Sequence, residues 1–294
     1  MAILEAKHIE RVFKTGGVSF HALKDINLQI EEGHFVILRG RSGSGKTCLL
    51  NLLGALDRPT DGEILYNGQP ISGWSDKKRD ILRRTELGFI FQSVALIGSM
   101  TAYENIEIAL RLAGYKADKR AARIEECMRE VGLEGRAKHR PSEMSGGEQQ
   151  RVAIARALAH EPKILLADEP TAELDSRMGL RVVSLLKTLA AQMGVTVLMT
   201  THDVTLMDLA DDVFTIEDGR IIGEEHHKRE EGPAVAGEEP QEEGKPSAQN
   251  EQMELPEEEE ETTEPGNPEP AAEEKAAGED YLALLRAQEK EDRL

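Results

Sequence analysis

Two glycine-rich stretches limit the folds open to this chain more than any other feature. The first is Gly40-Arg41-Ser42-Gly43-Ser44-Gly45-Lys46-Thr47, which follows the apolar run Phe35-Val36-Ile37-Leu38. A strand that enters Gly-x4-Gly-Lys-Thr and leaves as a helix is the context in which backbone N–H groups cradle phosphates. The expected cradle takes in Gly40, Arg41, Ser42, Gly43, Ser44, Gly45, Lys46, Thr47 and the adjoining Cys48. N–H groups from Gly43 to Thr47 wrap the phosphates, Lys46 reaches the β- and γ-phosphates, and the Thr47 hydroxyl holds Mg²⁺. Cys48 itself reads as a small core residue rather than a redox thiol.

The second stretch, Ser145-Gly146-Gly147-Glu148-Gln149-Gln150-Arg151, begins a helix with two glycines. In a helix interior each Gly costs about 0.8–1.0 kcal/mol relative to Ala, so the pair needs a reason. Ser145 with Glu148 has the form of a capping box ahead of Val152, Ile154, Ala155 and Leu158. Capping explains Ser145 but not Gly146 and Gly147. Absent side chains let a backbone approach a ligand closely, and a helix N-terminus attracts anions. Ser145, Gly146 and Gly147 are therefore expected to form a second phosphate site. Two such sites so far apart in one domain imply a nucleotide shared between two copies.

Four apolar runs end abruptly in polar or glycine residues. Phe35–Leu38 runs into Gly40, Leu87–Phe91 into Gln92, Ile164–Ala167 into Asp168 and Glu169, and Val195–Met199 into Thr200, Thr201 and His202. Continuous apolar runs of this length suit strands buried on both faces of a parallel sheet. Ligands of such sheets bind at the carboxyl ends of the strands, so the four endings should converge on one nucleotide. Asp168 then suits a Mg²⁺ contact, and Glu169, projecting differently, can polarise a water. Helical patterns occupy Thr47–Leu56, a Thr101/Glu104 capping box and the residues after it, Ala117–Val131, and Gly179–Met193 with Leu180, Val183, Leu186 and Leu189. Alternating segments at Ile3–His8, Ala22–Ile30 and Glu63–Tyr66 read as an antiparallel sheet.

Charge divides the chain. Residues 224–294 hold 24 acidic and 7 basic residues, a net of −17, which leaves residues 1–223 at −2. The acidity belongs to a tail, and no basic stripe with interleaved aromatics points to nucleic acid. Residues 224–277 read as a disordered acidic linker, too poor in apolar surface to offset its ordering entropy. Residues 278–294, with Tyr281, Leu282, Leu284 and Leu285, allow a short helix. Two cysteines are no disulfide framework, and a reduced intracellular setting is expected. The first residues lack the pattern of a signal peptide, and no apolar run reaches the roughly 18 residues of a membrane span.

Taken in order, the motifs resemble the ATP-binding-cassette (ABC) ATPases, over about residues 2–223. Met144 stands where that family usually has Leu. The resemblance implies a P-loop α/β core with a mainly parallel sheet, an N-terminal antiparallel subdomain and a helical subdomain over about 93–160. It implies ATP as ligand with Mg²⁺ at Thr47, Asp168 and Gln92, and catalysis by Glu169, His202 and Gln92. Gln92 corresponds to the glutamine that touches Mg²⁺ and the attacking water, and His202 to the histidine that contacts the γ-phosphate. Phe13 matches an aromatic position that stacks on adenine. Ala172-Glu173-Leu174-Asp175 resembles the loop through which two copies meet.

The implied function is the ATPase subunit of a transporter, closed head to tail on two ATPs. It would drive a separate permease through the surface around Ser93–Glu104, peripheral on the cytoplasmic side of the membrane and without inserting into it. Leu53-Gly54-Ala55-Leu56-Asp57-Arg58-Pro59 and Gly88-Phe89-Ile90-Phe91-Gln92 look most like the lipoprotein-release and macrolide-export branch. Ile97-Gly98-Ser99-Met100 departs from that branch, which usually has a Leu-Pro pair there. The alternative is a regulatory ATPase of the cell-division type, which transmits force and moves no solute.

Overall fold

A computed structural model describes residues 2–227. The sequence expectations for 228–294, including the short C-terminal helix, lie outside the described residues. Strands β1 (Ala2–Thr15) and β2 (Val18–Glu31) form a long hairpin, after which β3 (Phe35–Arg39) leads through the first glycine-rich loop into α1 (Lys46–Leu53). β4 (Asp61–Tyr66) and β5 (Gln69–Pro70) complete a four-stranded antiparallel sheet in the order β2-β1-β4-β5. Then come α2 (Asp76–Thr85), β6 (Leu87–Ile90) and three helices, α3 (Ala102–Leu112), α4 (Ala117–Glu130) and α5 (Gly146–Leu158). β7 (Ile164–Asp168), α6 (Ser176–Met193), β8 (Thr196–Thr201), β9 (Asp212–Glu217) and β10 (Arg220–His226) follow. The second sheet has the order β10-β9-β3-β8-β7-β6, parallel except for β10.

The parallel strands are buried on both faces, as their continuous apolar runs require. Phe35, Ile37, Leu165, Ala167, Val197 and Met199 pack into one core with α3 to α6. Their neighbours Val36, Leu38, Ile164, Leu166 and Leu198 pack into another with α1 and the antiparallel sheet. Alternation of side chains along each strand divides them between the two layers. Each fully buried aliphatic side chain contributes about 1.5–3 kcal/mol, so burial on both faces of this sheet stabilises the layers that carry the site.

Several helix boundaries follow local chemistry. The Thr101 hydroxyl accepts from Glu104 N and the Glu104 carboxylate accepts from Thr101 N, which starts α3 as a capping box. α6 begins at Ser176, ahead of the expected Gly179, because Asp175 caps it by accepting from Met178 N. Its buried face is Val182, Val183, Leu186, Leu189 and Ala190. Leu180, expected on that stripe, is exposed instead. β6 stops at Ile90, so Gln92 lies in the loop beyond the strand rather than ending it. β10 runs past Gly223 to His226, so residues 224–226, expected to open the disordered linker, are strand instead; the His226 Nδ1 lies 2.7 Å from Asp212 Oδ1 on β9 and ties them to the sheet.

One glycine fixes how closely the helical layer sits on the sheet. A Cβ on Gly88 in β6 would lie 2.5 Å from the Ala157 carbonyl oxygen of α5 and 2.8 Å from Leu165 Cδ1. Gly88→Ala is expected to destabilise by about 1–3 kcal/mol, read as a lower denaturant midpoint at unchanged slope.

Candidate functional site

The carboxyl ends of β3, β7 and β8, with the loop after β6, surround a cleft of about 690 Å³. Phe13, the loop from Arg41 to Cys48, Gln92, Glu169 and His202 line it, together with Phe20 and Ala22. Residues brought from five separate parts of the sequence thus meet in one place.

The glycine-rich loop has its shape for two local reasons. Gly45 has φ 109°, in the left-handed region, with Leu23 and Ala22 close on its Cα, so no side chain fits. Gly45 also stands at the N-cap of α1, where no side-chain hydrogen bond caps the helix; a helix N-terminus of this kind is suited to an anion. Lys46 is buried, and its ammonium donates to the carbonyls of Gly40 (2.9 Å) and Arg41 (3.1 Å). Its third contact is Glu169 Oε1 at 3.1 Å. Cys48 packs against the core, and burial pushes its thiol up to about 11, so it remains a protonated, unreactive thiol.

The two acids at the end of β7 point to different partners. Asp168 Oδ1 accepts from Thr47 Oγ1 at 3.1 Å and from Thr200 Oγ1 at 2.7 Å. Glu169 has φ 41°, a left-handed conformation that costs a non-glycine residue about 1–2 kcal/mol. Its N–H is held by Thr200 Oγ1 at 2.9 Å, and its carboxylate lies between Lys46 and His202, with His202 Nδ1 at 3.2 Å from Oε2. Thr200 therefore fixes both acids with one hydroxyl. The sequence places Thr200 at a strand end that meets the nucleotide; its tie to both acids depends on the register of β7 and β8, which sequence does not carry.

The loop bearing Gln92 is fastened to the helical layer. Arg156 of α5 donates to the carbonyls of Ala95 (2.6 Å) and Val94 (3.3 Å), and burial pushes its pKa down. The buried Asn105 of α3 accepts from Ile97 N and donates to the carbonyls of Ile97, Met100 and Thr101. These bonds shape the Ile97–Met100 segment without the Leu-Pro pair.

Phe13 is 42% exposed, so the structure gives this first-strand aromatic a cleft position instead of a core one.

The second glycine-rich stretch starts α5 as its sequence implies. Ser145 Oγ accepts from Glu148 N, and Glu148 Oε2 accepts from Ser145 N at 2.8 Å. That bond from the Ser145 backbone holds the Glu148 carboxyl below its usual range. Met144 is buried in the core, in keeping with an apolar position. The two glycines have different reasons. A Cβ on Gly147 would approach Met178 Sδ within 3.1 Å, which is a packing reason inside the chain. A Cβ on Gly146 would meet nothing nearer than Leu174 Cδ2 at 3.7 Å. Among the described residues lining the cleft, Ser145, Gly146 and Gly147 do not occur.

A parallel sheet, a phosphate loop at the carboxyl end of β3 and paired acids at the end of β7 define a P-loop nucleotide hydrolase. A family profile described as ABC transporter matches residues 23–172. The chain is 46% identical over 220 residues to an ABC transporter ATP-binding protein of Methanocaldococcus jannaschii, across 75% of this chain and 98% of the relative. It is 47% identical over 219 residues to the macrolide export ATP-binding/permease protein MacB of Wolinella succinogenes, covering 74% of this chain and 34% of that longer relative. The solved ATP-binding cassette MJ0796, a dimer in a post-hydrolysis state bound to ADP and Pi, superposes with a TM-score of 0.71 at 40% identity. That match covers 76% of this chain and 98% of the other. The chain belongs to the ABC transporter family, as an ATP-binding cassette with ATPase activity.

Proposed function

We propose that this cassette works as a head-to-tail pair, each ATP held between Lys46 of one copy and Ser145–Gly147 of the other, and that the pair drives a separate membrane permease. The observation that carries this reading is the cleft itself. It gathers the phosphate loop, Gln92, Glu169 and His202, yet has no contribution from Ser145, Gly146 or Gly147. A Cβ on Gly146 would make only an ordinary contact, with Leu174 Cδ2 at 3.7 Å, so packing within its own chain does not require glycine there.

In this reading the adenine stacks on Phe13 and the phosphates lie along Gly40–Thr47. A water attacks the γ-phosphorus in line as the bond to the β,γ-bridging oxygen breaks. Glu169 takes the water's proton, His202 and Gln92 contact the γ-phosphate and the water, and Lys46 neutralises charge on the departing phosphates. Thr47 and Asp168 offer a hydroxyl and a carboxylate 3.1 Å apart, hard oxygen donors of the kind Mg²⁺ takes alongside nucleotide phosphates. Bound there with Gln92 nearby, the ion would supply charge stabilisation for the phosphoryl oxygens. Closure on ATP and opening after hydrolysis reach the permease through residues 93–104, which Arg156 and Asn105 tie to α5 and α3. No helix among the described residues is long and apolar enough to cross a membrane. In this reading the permease holds the pair at the cytoplasmic face.

Relatives named as transporter and macrolide-export proteins support transport over force transmission alone. A site completed by a second copy makes specific activity depend on chain concentration. At saturating ATP and Mg²⁺, hydrolysis per chain should rise with protein concentration and then level off. A constant specific activity in samples that remain monomeric by light scattering contradicts the pairing.

A further inference from the structure

We propose that Arg11 and Asp57 are a positioning pair that sets the wall of the base subsite, fixing Phe13 at a set distance from the phosphate loop. This rests on the reading of the cleft as an ATP site and adds how its base end is built.

The β1–β2 hairpin projects beyond the body of the antiparallel sheet. β4 pairs with β1 only as far as Glu10↔Asp61, whereas β1 and β2 continue together to Thr15↔Val18. Phe13 and Phe20 are direct cross-strand partners on this arm, and both line the cleft while largely exposed. An arm of two strands is a poor platform, because an isolated two-stranded ribbon is marginally stable in water. A stacking surface on it needs fastening.

Arg11 supplies that fastening at the root of the arm. Its Nε donates to Asp57 Oδ2 at 2.9 Å and its Nη2 to Asp57 Oδ1 at 3.1 Å, a two-pronged bond that orients the guanidinium plane. That plane covers Phe13, with Cζ 4.4 Å from the ring centroid. The guanidinium thereby covers one face of a ring that lines the cleft and is 42% exposed, which leaves surface for a flat ligand to stack on. Val12 N adds a bond to Thr60 Oγ1 on the same side.

Asp57 is itself rigid. Leu56 N and Asp57 N both donate to the Asn51 carbonyl of α1, and the buried Arg79 of α2 donates to the carbonyls of Ala55 and Asp57. α1 is the helix whose N-terminus carries the phosphate loop. The chain of contacts therefore runs from Phe13 through Arg11 and Asp57 to the end of α1, and along it to Lys46. Base wall and phosphate cradle are two ends of one fastened unit. The lever is specific to ligands with a base, since the phosphate contacts do not pass through Arg11.

The test compares ATP with inorganic tripolyphosphate, which carries the phosphates and no base. Binding to the full chain is measured by titration calorimetry for wild type, Arg11→Met, Arg11→Lys, Asp57→Asn and the double variant Arg11→Met/Asp57→Asn. Arg11→Met and Asp57→Asn should each weaken ATP roughly fivefold, the scale of a lost stacked cation and its wall, with tripolyphosphate unchanged. The double variant should be no worse than either single one, because both remove the same pair. Arg11→Lys should recover part of the loss, as a single-point cation without the planar fork. Unchanged ATP affinity in Arg11→Met overturns the proposal, as does an equal loss for ATP and tripolyphosphate. A wild type that binds ATP no tighter than tripolyphosphate removes the base wall altogether. One that binds neither removes the ATP site on which the proposal stands.

Discussion

Glu169→Gln should cut steady-state ATP hydrolysis by about 10²–10⁴-fold, the range for losing a general base, while ATP stays bound. The substitution keeps the size of the side chain and leaves the hold of Thr200 Oγ1 on the backbone N–H intact. It removes the charge that now lies 3.1 Å from the Lys46 ammonium. Phosphate then meets less competition for Lys46, so binding should be retained or tightened as turnover fails. With hydrolysis blocked, the ATP-bound pair accumulates. Light scattering in ATP and Mg²⁺ should report twice the monomer mass for the variant and a smaller paired fraction for wild type. Turnover equal to wild type removes Glu169 from the role of base.

Gly146→Asp should abolish hydrolysis and spare both the fold and ATP binding at Lys46. An added Cβ meets only Leu174 Cδ2 at 3.7 Å, so packing tolerates it. An acid in the first turn of α5 also suits the helix dipole, and the single chain should be no less stable. The same charge at a phosphate site repels the nucleotide of the other copy. Loss of a preorganised anion site costs about 10²–10³-fold in rate. Gly147→Asp is the control that separates the two glycines. Its Cβ presses on Met178, so it should lower the melting temperature as well as activity. Normal hydrolysis by Gly146→Asp, with its fold intact, is incompatible with a shared site.

What could be read from sequence divides along physical lines. The phosphate loop, the Thr101 and Ser145 capping boxes and the strand-end acids are signalled by adjacent residues, and each stands where its local chemistry implies. α2 is not legible from sequence, because Asp76-Lys77-Lys78-Arg79-Asp80 carries no apolar stripe; its buried Arg79 is satisfied by the distant carbonyls of Ala55 and Asp57. Spacing alone puts Leu180 on the buried stripe of α6, but that helix turns a neighbouring face to the core. Thr200 and the Arg11–Asp57 pair act across strand register or between elements 46 residues apart, which no local pattern carries. The difference between Gly146 and Gly147 depends on where Met178 of α6 sits.

The central claim is that each hydrolytic site takes Lys46 from one copy and Ser145–Gly147 from another, and mixing two inactive variants tests it most directly. Lys46→Ala lacks the phosphate lysine, and Gly146→Asp lacks the second anion site. A mixed pair puts both lesions into one site and leaves the other intact. Each variant alone should be inactive, and hydrolysis should appear on mixing, greatest near equal amounts. A mixture no more active than the two variants measured separately, although mixed pairs form, contradicts the account.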